Sequence, residues 1–250
     1  MRKLIVANWK MNPVSFKEAE AIFNGISIEA KNAKNIDIVV CPPFPFLSIS
    51  SKTKIKNVIK GAQNIFYETA GAYTGQVSPK MISSLDTKYV ILGHSESRLL
   101  GDTNEIINKK ILASLKSKIS PILCIGENTR DTHGEYLSFI KNQIHECLIS
   151  VSKIQIKNIV IAYEPIWAIG EKALRYATVD EFIEIRIFIK RIMADIYGIK
   201  VANEINIIYG GSVHKENART FVIDGEAGGL LIGRDSLIPK KFGAILTAIK

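Results

Sequence analysis

Eight short, almost unbroken apolar runs recur along this chain, and their spacing restricts its fold more than any other feature. They cover residues 3–7, 37–41, 58–62, 89–92, 121–125, 159–163, 205–209 and 229–232. A strand with one wet face alternates apolar and polar side chains. Continuous runs of this kind belong instead to strands buried on both faces, as in a parallel sheet. Parallel neighbours need long crossovers, and helix-period stretches lie between most of the runs. Ser15-Phe16-Lys17-Glu18 and Thr178-Val179-Asp180-Glu181 have the spacing of capping boxes. In that motif the hydroxyl accepts from the third backbone amide and the glutamate reaches back. Helices are therefore expected over 15 to about 30 and 178 to about 197.

Eight strands alternating with helices build either a closed barrel or a doubly wound sheet. No G-x-G-x-x-G follows the first strand, which weakens a dinucleotide-binding fold. A length of 250 residues is typical of one closed barrel, and no short-period repeat, low-complexity tract or linker divides the chain. The expected fold is α/β: a single (β/α)8-barrel domain over residues 1–250, with eight parallel strands surrounded by helices.

Composition removes several classes of function. No apolar run approaches a membrane span, and the N-terminus turns polar after Leu4-Ile5-Val6-Ala7, too short for a secretory leader. Cys41, Cys124 and Cys147 are odd in number and widely spaced, without C-x-x-C. That pattern argues against a disulfide frame or a zinc site and for a reducing cytoplasm. The formal charge of +9 invites a nucleic-acid partner. However, the lysines are scattered, with no basic block interleaved with aromatics, so a solvated surface or a small anionic substrate fits better.

In a barrel of this kind chemistry gathers where strands end, at the C-terminal face. The first run exits into Asn8-Trp9-Lys10-Met11-Asn12, the fourth into Gly93-His94-Ser95-Glu96 and the fifth into Gly126-Glu127. The sixth exits into Glu164-Pro165-Ile166-Trp167-Ala168-Ile169-Gly170, the seventh into Gly210-Gly211-Ser212, and the eighth into Gly233. Taken singly, Lys10 is an ordinary solvated lysine, His94 a structural histidine, and Cys124 a buried small hydrophobe. Placed one per strand end, they become a cation, an imidazole and a carboxylate around one opening. Pro165 confines Glu164 to extended backbone and so fixes its direction. Glycine-rich turns after the last two strands let amides approach a phosphate closely.

At these residues the chain resembles the triosephosphate isomerase family over nearly its whole length. The resemblance rests on Ala7 to Asn12, Cys41-Pro42-Pro43, Gly61-Ala62-Gln63-Asn64 and Gly71-Ala72-Tyr73-Thr74-Gly75, then Gly93 to Glu96, Cys124 to Glu127, Ala162 to Gly170 and Tyr209 to Val213. It implies that Glu164 is the catalytic base and His94 the electrophile, with Lys10 and Asn8 contacting a small phosphorylated triose. It also implies phosphate contacts from the amides of Gly170, Ser212 and the Gly233 turn, supported by Gly211. Ile169 and Leu231 would clamp over the base, Glu96 would support Lys10, and Ser95 would support the histidine turn. Thr74 would reach into the neighbouring site of a homodimer. Neither metal nor cofactor is called for, and neither nucleic acid nor membrane is an expected partner.

The chain also departs from the family pattern. Glu171-Lys172-Ala173-Leu174-Arg175-Tyr176 replaces the usual Thr-Gly-Lys-type lid tip, and the segment runs two residues longer. Ser97 stands where the family has an arginine, with the stretch to Gly101 one residue short, and Gln76 replaces a glutamate. Losing both members of a charge pair orphans neither. Arg234, a further candidate for substrate binding, occupies the place of the second glycine in the eighth-strand turn, where a positive φ would strain an arginine; its guanidinium either points to solvent or leans inward as an additional phosphate ligand.

Moving a carbonyl to the adjacent carbon requires taking a proton from that carbon and stabilising an enediolate. A carboxylate desolvated by an apolar lid is a stronger base. Helix-terminal amides after His94 disfavour an imidazolium, so a neutral ring would donate to the oxyanion. A lid would also keep the enediolate from expelling its phosphate. Two alternatives stay open: a sister isomerase acting on a four-carbon ketose phosphate, and a catalytically silent barrel kept for binding. The joint presence of Asn8, Lys10, His94 and Glu164 argues against the second.

Overall fold

The computed structural model of the chain describes residues 2–50, 55–170, 173 and 175–250. Eight strands are formed: β1 (Lys3–Asn8), β2 (Ile36–Cys41), β3 (Val58–Ala62), β4 (Tyr89–Leu92), β5 (Ser120–Ile125), β6 (Val160–Tyr163), β7 (Asn206–Tyr209) and β8 (Gly229–Ile232). The helices among the described residues are α1 (Phe16–Ala30), α2 (Pro79–Ser84), α3 (Ser95–Leu99), α4 (Asn104–Lys116), α5 (Glu135–Cys147), α6 (Val179–Tyr197), α7 (Ile199–Glu204), α8 (Lys215–Val222) and α9 (Pro239–Ala248).

The strands close into one barrel in chain order. All neighbours are parallel, and β1 seals the ring by pairing Val6 with Leu231 of β8. The expected (β/α)8 barrel is therefore the observed fold. Two strands begin later than the sequence runs because an amide has another use. The Ile159 N–H donates to Ile156 O at 3.0 Å, and the Ile205 N–H to Val201 O at 2.9 Å, so β6 and β7 begin one residue late.

Successive strand residues face opposite sides, and the sequence fills both. Leu4, Val6, Ile122, Cys124, Val160 and Ala162 pack inside the barrel. The alternate positions, such as Ile5, Leu123 and Ile161, meet the helices. Outside the barrel, Phe182 packs edge-on to Tyr209 and Phe221 at 5.6 and 5.9 Å. Burying each such ring contributes roughly 1.5–3 kcal/mol. The Ser15 hydroxyl accepts from the Glu18 amide to start α1. Both halves of the box close at Thr178: its hydroxyl accepts from Glu181 N at 3.2 Å, and Glu181 Oε2 accepts from Thr178 N at 2.8 Å. Cys41, Cys124 and Cys147 are buried thiols.

The same alternation aims the site. The side that carries Leu4 and Val6 inward carries Asn8 at the exit of β1, and the side of Val160 and Ala162 carries Glu164 just beyond β6.

Candidate active site

A cleft of about 730 Å³ opens at the C-terminal ends of the strands. Asn8, Lys10, His94, Glu164, Ile169, Gly170, Gly211, Ser212, Leu231, Gly233 and Arg234 all line it. Residues from five strand exits, those of β1, β4, β6, β7 and β8, thus meet around one space. Ser95 and Glu96 stand behind this lining, each touching a residue within it. Thr74 sits exposed on the loop after β3 and is not among the residues lining its own chain's cleft.

Glu164, Asn8 and His94 are buried polar residues of the cleft, 2%, 5% and 7% exposed. Glu164 Oε1 lies 3.4 Å from His94 Nε2, and Glu164 Oε2 accepts from the Ser95 amide at 3.2 Å. On the other side of the imidazole, Nδ1 accepts from the Glu96 amide at 3.2 Å. A nitrogen that accepts carries no proton, so a neutral ring bears its hydrogen on Nε2, the nitrogen that faces the cleft.

Lys10 has a left-handed backbone, φ 54°. The Asn8 side-chain oxygen accepts from the Lys10 amide at 3.1 Å, and Gln63 Nε2 donates to Lys10 O at 2.9 Å, so the residue just after β3 helps pin that conformation. The Lys10 ammonium meets Glu96 Oε1 at 2.6 Å. Its Cε would stand 3.4 Å from a Cβ placed on Gly233, which brings the cation beside the glycine turn after β8.

The triosephosphate isomerase family model matches residues 3–249. The chain belongs to the triosephosphate isomerase family. The triosephosphate isomerase of Dictyoglomus thermophilum is 40% identical over 98% of both chains. That of Aquifex aeolicus is 40% identical over 98% of this chain and 99% of its own. That of Clostridium botulinum is 39% identical with the same coverage.

Gly126, Glu127 and Gly210 were placed at strand exits by the sequence, but their roles around Glu164 and Trp167 emerge only in three dimensions. A Cβ on Gly210 would lie 2.9 Å from Glu164 Cγ, and one on Gly126 would lie 1.8 Å from Glu164 O. These two glycines make room for the carboxylate and its backbone. Glu127, 1% exposed, accepts from Tyr163 Oη and Trp167 Nε1, both at 2.8 Å on Oε1. Desolvation raises the Glu127 carboxyl above the ordinary glutamate range. It anchors the start of the lid, where Trp167 lies in a 3-10 turn over Ile166–Ala168. Burial, and then the Glu164 carboxylate, push the Cys124 thiol well up, which leaves it a packing residue.

The departures from the family pattern resolve in part. Within the altered lid tip, Glu171, Lys172 and Leu174 lie outside the described residues, whereas Ala173, Arg175 and Tyr176 line the cleft. Beside the half-buried Ser97, Arg98 turns inward. It donates to Gly93 O at 2.8 Å, Cys124 O at 3.2 Å and Asn104 Oδ1 at 2.6 Å, tying the β4 and β5 exits together next to His94. Arg234 is exposed at the cleft rim and opens a 3-10 turn, Arg234–Leu237. The positive-φ residues other than glycine are Lys10, Asp86, Lys118, Ser150 and Glu226 among those described. The strain expected at Arg234 is therefore not present: the turn accommodates a side chain there.

Proposed function

We propose that this chain interconverts dihydroxyacetone phosphate and glyceraldehyde 3-phosphate through an enediolate, as part of glycolysis and gluconeogenesis. Glu164 takes the proton from the carbon beside the carbonyl. His94 Nε2–H donates to the oxygen that gains charge, and Lys10 and Asn8 hold that oxygen and the substrate in place. The observation that carries this reading is the buried juxtaposition of Glu164 with an imidazole whose Nδ1 is occupied by the Glu96 amide. A carboxylate able to accept a proton and a neutral donor share one cleft, which is what shifting a carbonyl requires.

Phosphate is bound by backbone amides at Gly170, Ser212 and the Gly233 turn. The Ser212 hydroxyl donates to Ala168 O at 2.9 Å, so that side chain steadies the lid. Ile169 and Leu231 supply the apolar cover. No cofactor enters the scheme.

The active form is a homodimer of the cytoplasm in which Thr74 completes the partner's site. Met11, Val14, Leu99 and Leu100 support this, being 91%, 88%, 86% and 90% exposed in the segments after β1 and β4. Exposed apolar groups of this size mark association surfaces. Among the described residues no helix is long and apolar enough to cross a membrane.

A coupled assay on glyceraldehyde 3-phosphate tests the reading. Glu164→Gln keeps the side chain's shape while removing its basicity, and should lower kcat by roughly 10²–10⁴ with much less effect on KM. Near-full turnover in that variant refutes the assignment.

A further inference from the structure

Arg175 stands at the return of the lid toward α6, in the segment where this chain leaves the family pattern. Its guanidinium touches both ends of the lid. Nη1 donates to Glu181 Oε2 at 2.9 Å, and Nη2 takes the other carboxylate oxygen, so the contact is a two-bond fork. The guanidinium carbon lies 4.4 Å from the Trp167 ring centroid. Trp167 is 8% exposed and donates to Glu127 at the exit of β5. Glu181 belongs to the first turn of α6 and accepts from Thr178 N as well. Arg175 therefore joins the start of the lid to the helix that follows it.

An exposed ion pair by itself does little, and the Arg175 side chain is 52% exposed. Three features separate this contact from an ordinary surface pair. The fork is bidentate, which fixes direction as well as distance. Its carboxylate is 17% exposed and already serves as the α6 cap, so it cannot swing away without undoing that cap. The Arg175 fork, the largest of several influences, holds the Glu181 carboxyl down to about 2. Thirdly, the flat guanidinium lies against a buried indole, a contact a lysine would not reproduce. Tyr176 adds a second fastening, edge-on to His214 at 5.7 Å, and His214 lines the cleft.

We propose that Arg175 is a positioning residue for the isomerisation: by clasping Trp167 and Glu181 it holds the lengthened lid so that Ile169 and Gly170 are presented over the bound phosphate. The proposal rests on the isomerase reading above. Ile169, Gly170 and Arg175 line the same cleft, so the clasp steadies Trp167 and the two residues that follow its turn before substrate arrives. Loosening it makes each binding event order that segment afresh, which weakens binding. It also leaves the enediolate exposed for longer. There its electron pair can break the carbon–oxygen bond to phosphate and release inorganic phosphate in place of product.

The test compares wild type, Arg175→Ala, Arg175→Lys, Glu181→Gln and the Arg175→Ala/Glu181→Gln pair. Steady-state isomerisation, inorganic phosphate released per turnover, and Tm are measured for each. Arg175→Ala should raise KM for glyceraldehyde 3-phosphate about 3–10-fold. It should also raise the phosphate-release fraction at least about threefold, with kcat within about twofold and Tm little changed. Arg175→Lys should resemble the alanine variant, and the pair should be no worse than the worse single variant. An Arg175→Ala enzyme with unchanged KM and phosphate release, or with a lowered KM, overturns the proposal. Additive losses in the pair overturn it too. An inactive wild type would overturn the isomerase reading itself, which separates the two failures.

Discussion

Gly210 offers the sharpest test of how tightly the base is held. In Gly210→Ala the new Cβ would lie 2.9 Å from Glu164 Cγ, with Leu231 Cδ2 and Tyr163 O each 3.4 Å away. Carbon atoms rest at about 3.5–4.0 Å, so the first contact is short by roughly 0.6–1 Å. The backbone at 210 is not left-handed, so the substitution strains nothing but this packing. Glu164 is the neighbour able to move. However, its carboxylate is already engaged by the Ser95 amide at 3.2 Å and beside His94 at 3.4 Å, so any shift displaces the reacting oxygen. A misplacement near 1 Å can cost about 10²-fold in rate. Gly210→Ala is therefore expected to lower kcat roughly 10–100-fold while KM changes less than about threefold. Purified variant and wild type would be compared in the coupled assay, with Tm and circular dichroism confirming the fold. A folded variant whose kcat is within about twofold of wild type would show that the carboxylate has slack there, and the packing account would fail.

Arg234→Gly should leave KM within about threefold, and the small change should fade as salt rises, because the rim guanidinium acts through long-range charge. A rise of about tenfold or more that persists at high salt would instead make it a direct phosphate ligand. Sedimentation at assay concentration should find a dimer held largely by apolar contact; a fully active monomer would refute the role given to Thr74.

The fold was legible because the signal is redundant. Each run such as 121–125 or 229–232 is buried on both faces, so strand identity does not depend on a delicate alternation. The two caps at Ser15 and Thr178 fixed helix starts to the residue. Asn8, Lys10, His94 and Glu164 were legible for a different reason: each lies within two residues of a strand's C-terminal end, and a barrel sends all such positions to one face. What stayed hidden acts between elements distant in sequence. Gly210 matters because Glu164 leans across β7, and Glu127 matters because Tyr163 and Trp167 both turn toward it. The inward turn of Arg98 is equally a property of the ring of strands, since its acceptors Gly93 and Cys124 belong to two different exits. No local pattern announces such a contact. The Arg234 expectation failed on geometry: a 3-10 turn starting at that residue takes a side chain where a left-handed turn would have demanded glycine.

The seal between β1 and β8 governs how the molecule comes into being on the ribosome. β1 emerges well before β8, whose Leu231 pairs with Val6. At ordinary elongation rates that interval is on the order of tens of seconds. Throughout it, one edge of β1, apolar from Leu4 to Ala7, has no neighbour and can pair with another nascent chain. Lys10 likewise waits for the Gly233 turn beside which it finally sits. Turnover is thus a property that truncated or half-made chains cannot share, and catalytic activity serves as a direct count of barrels that have closed.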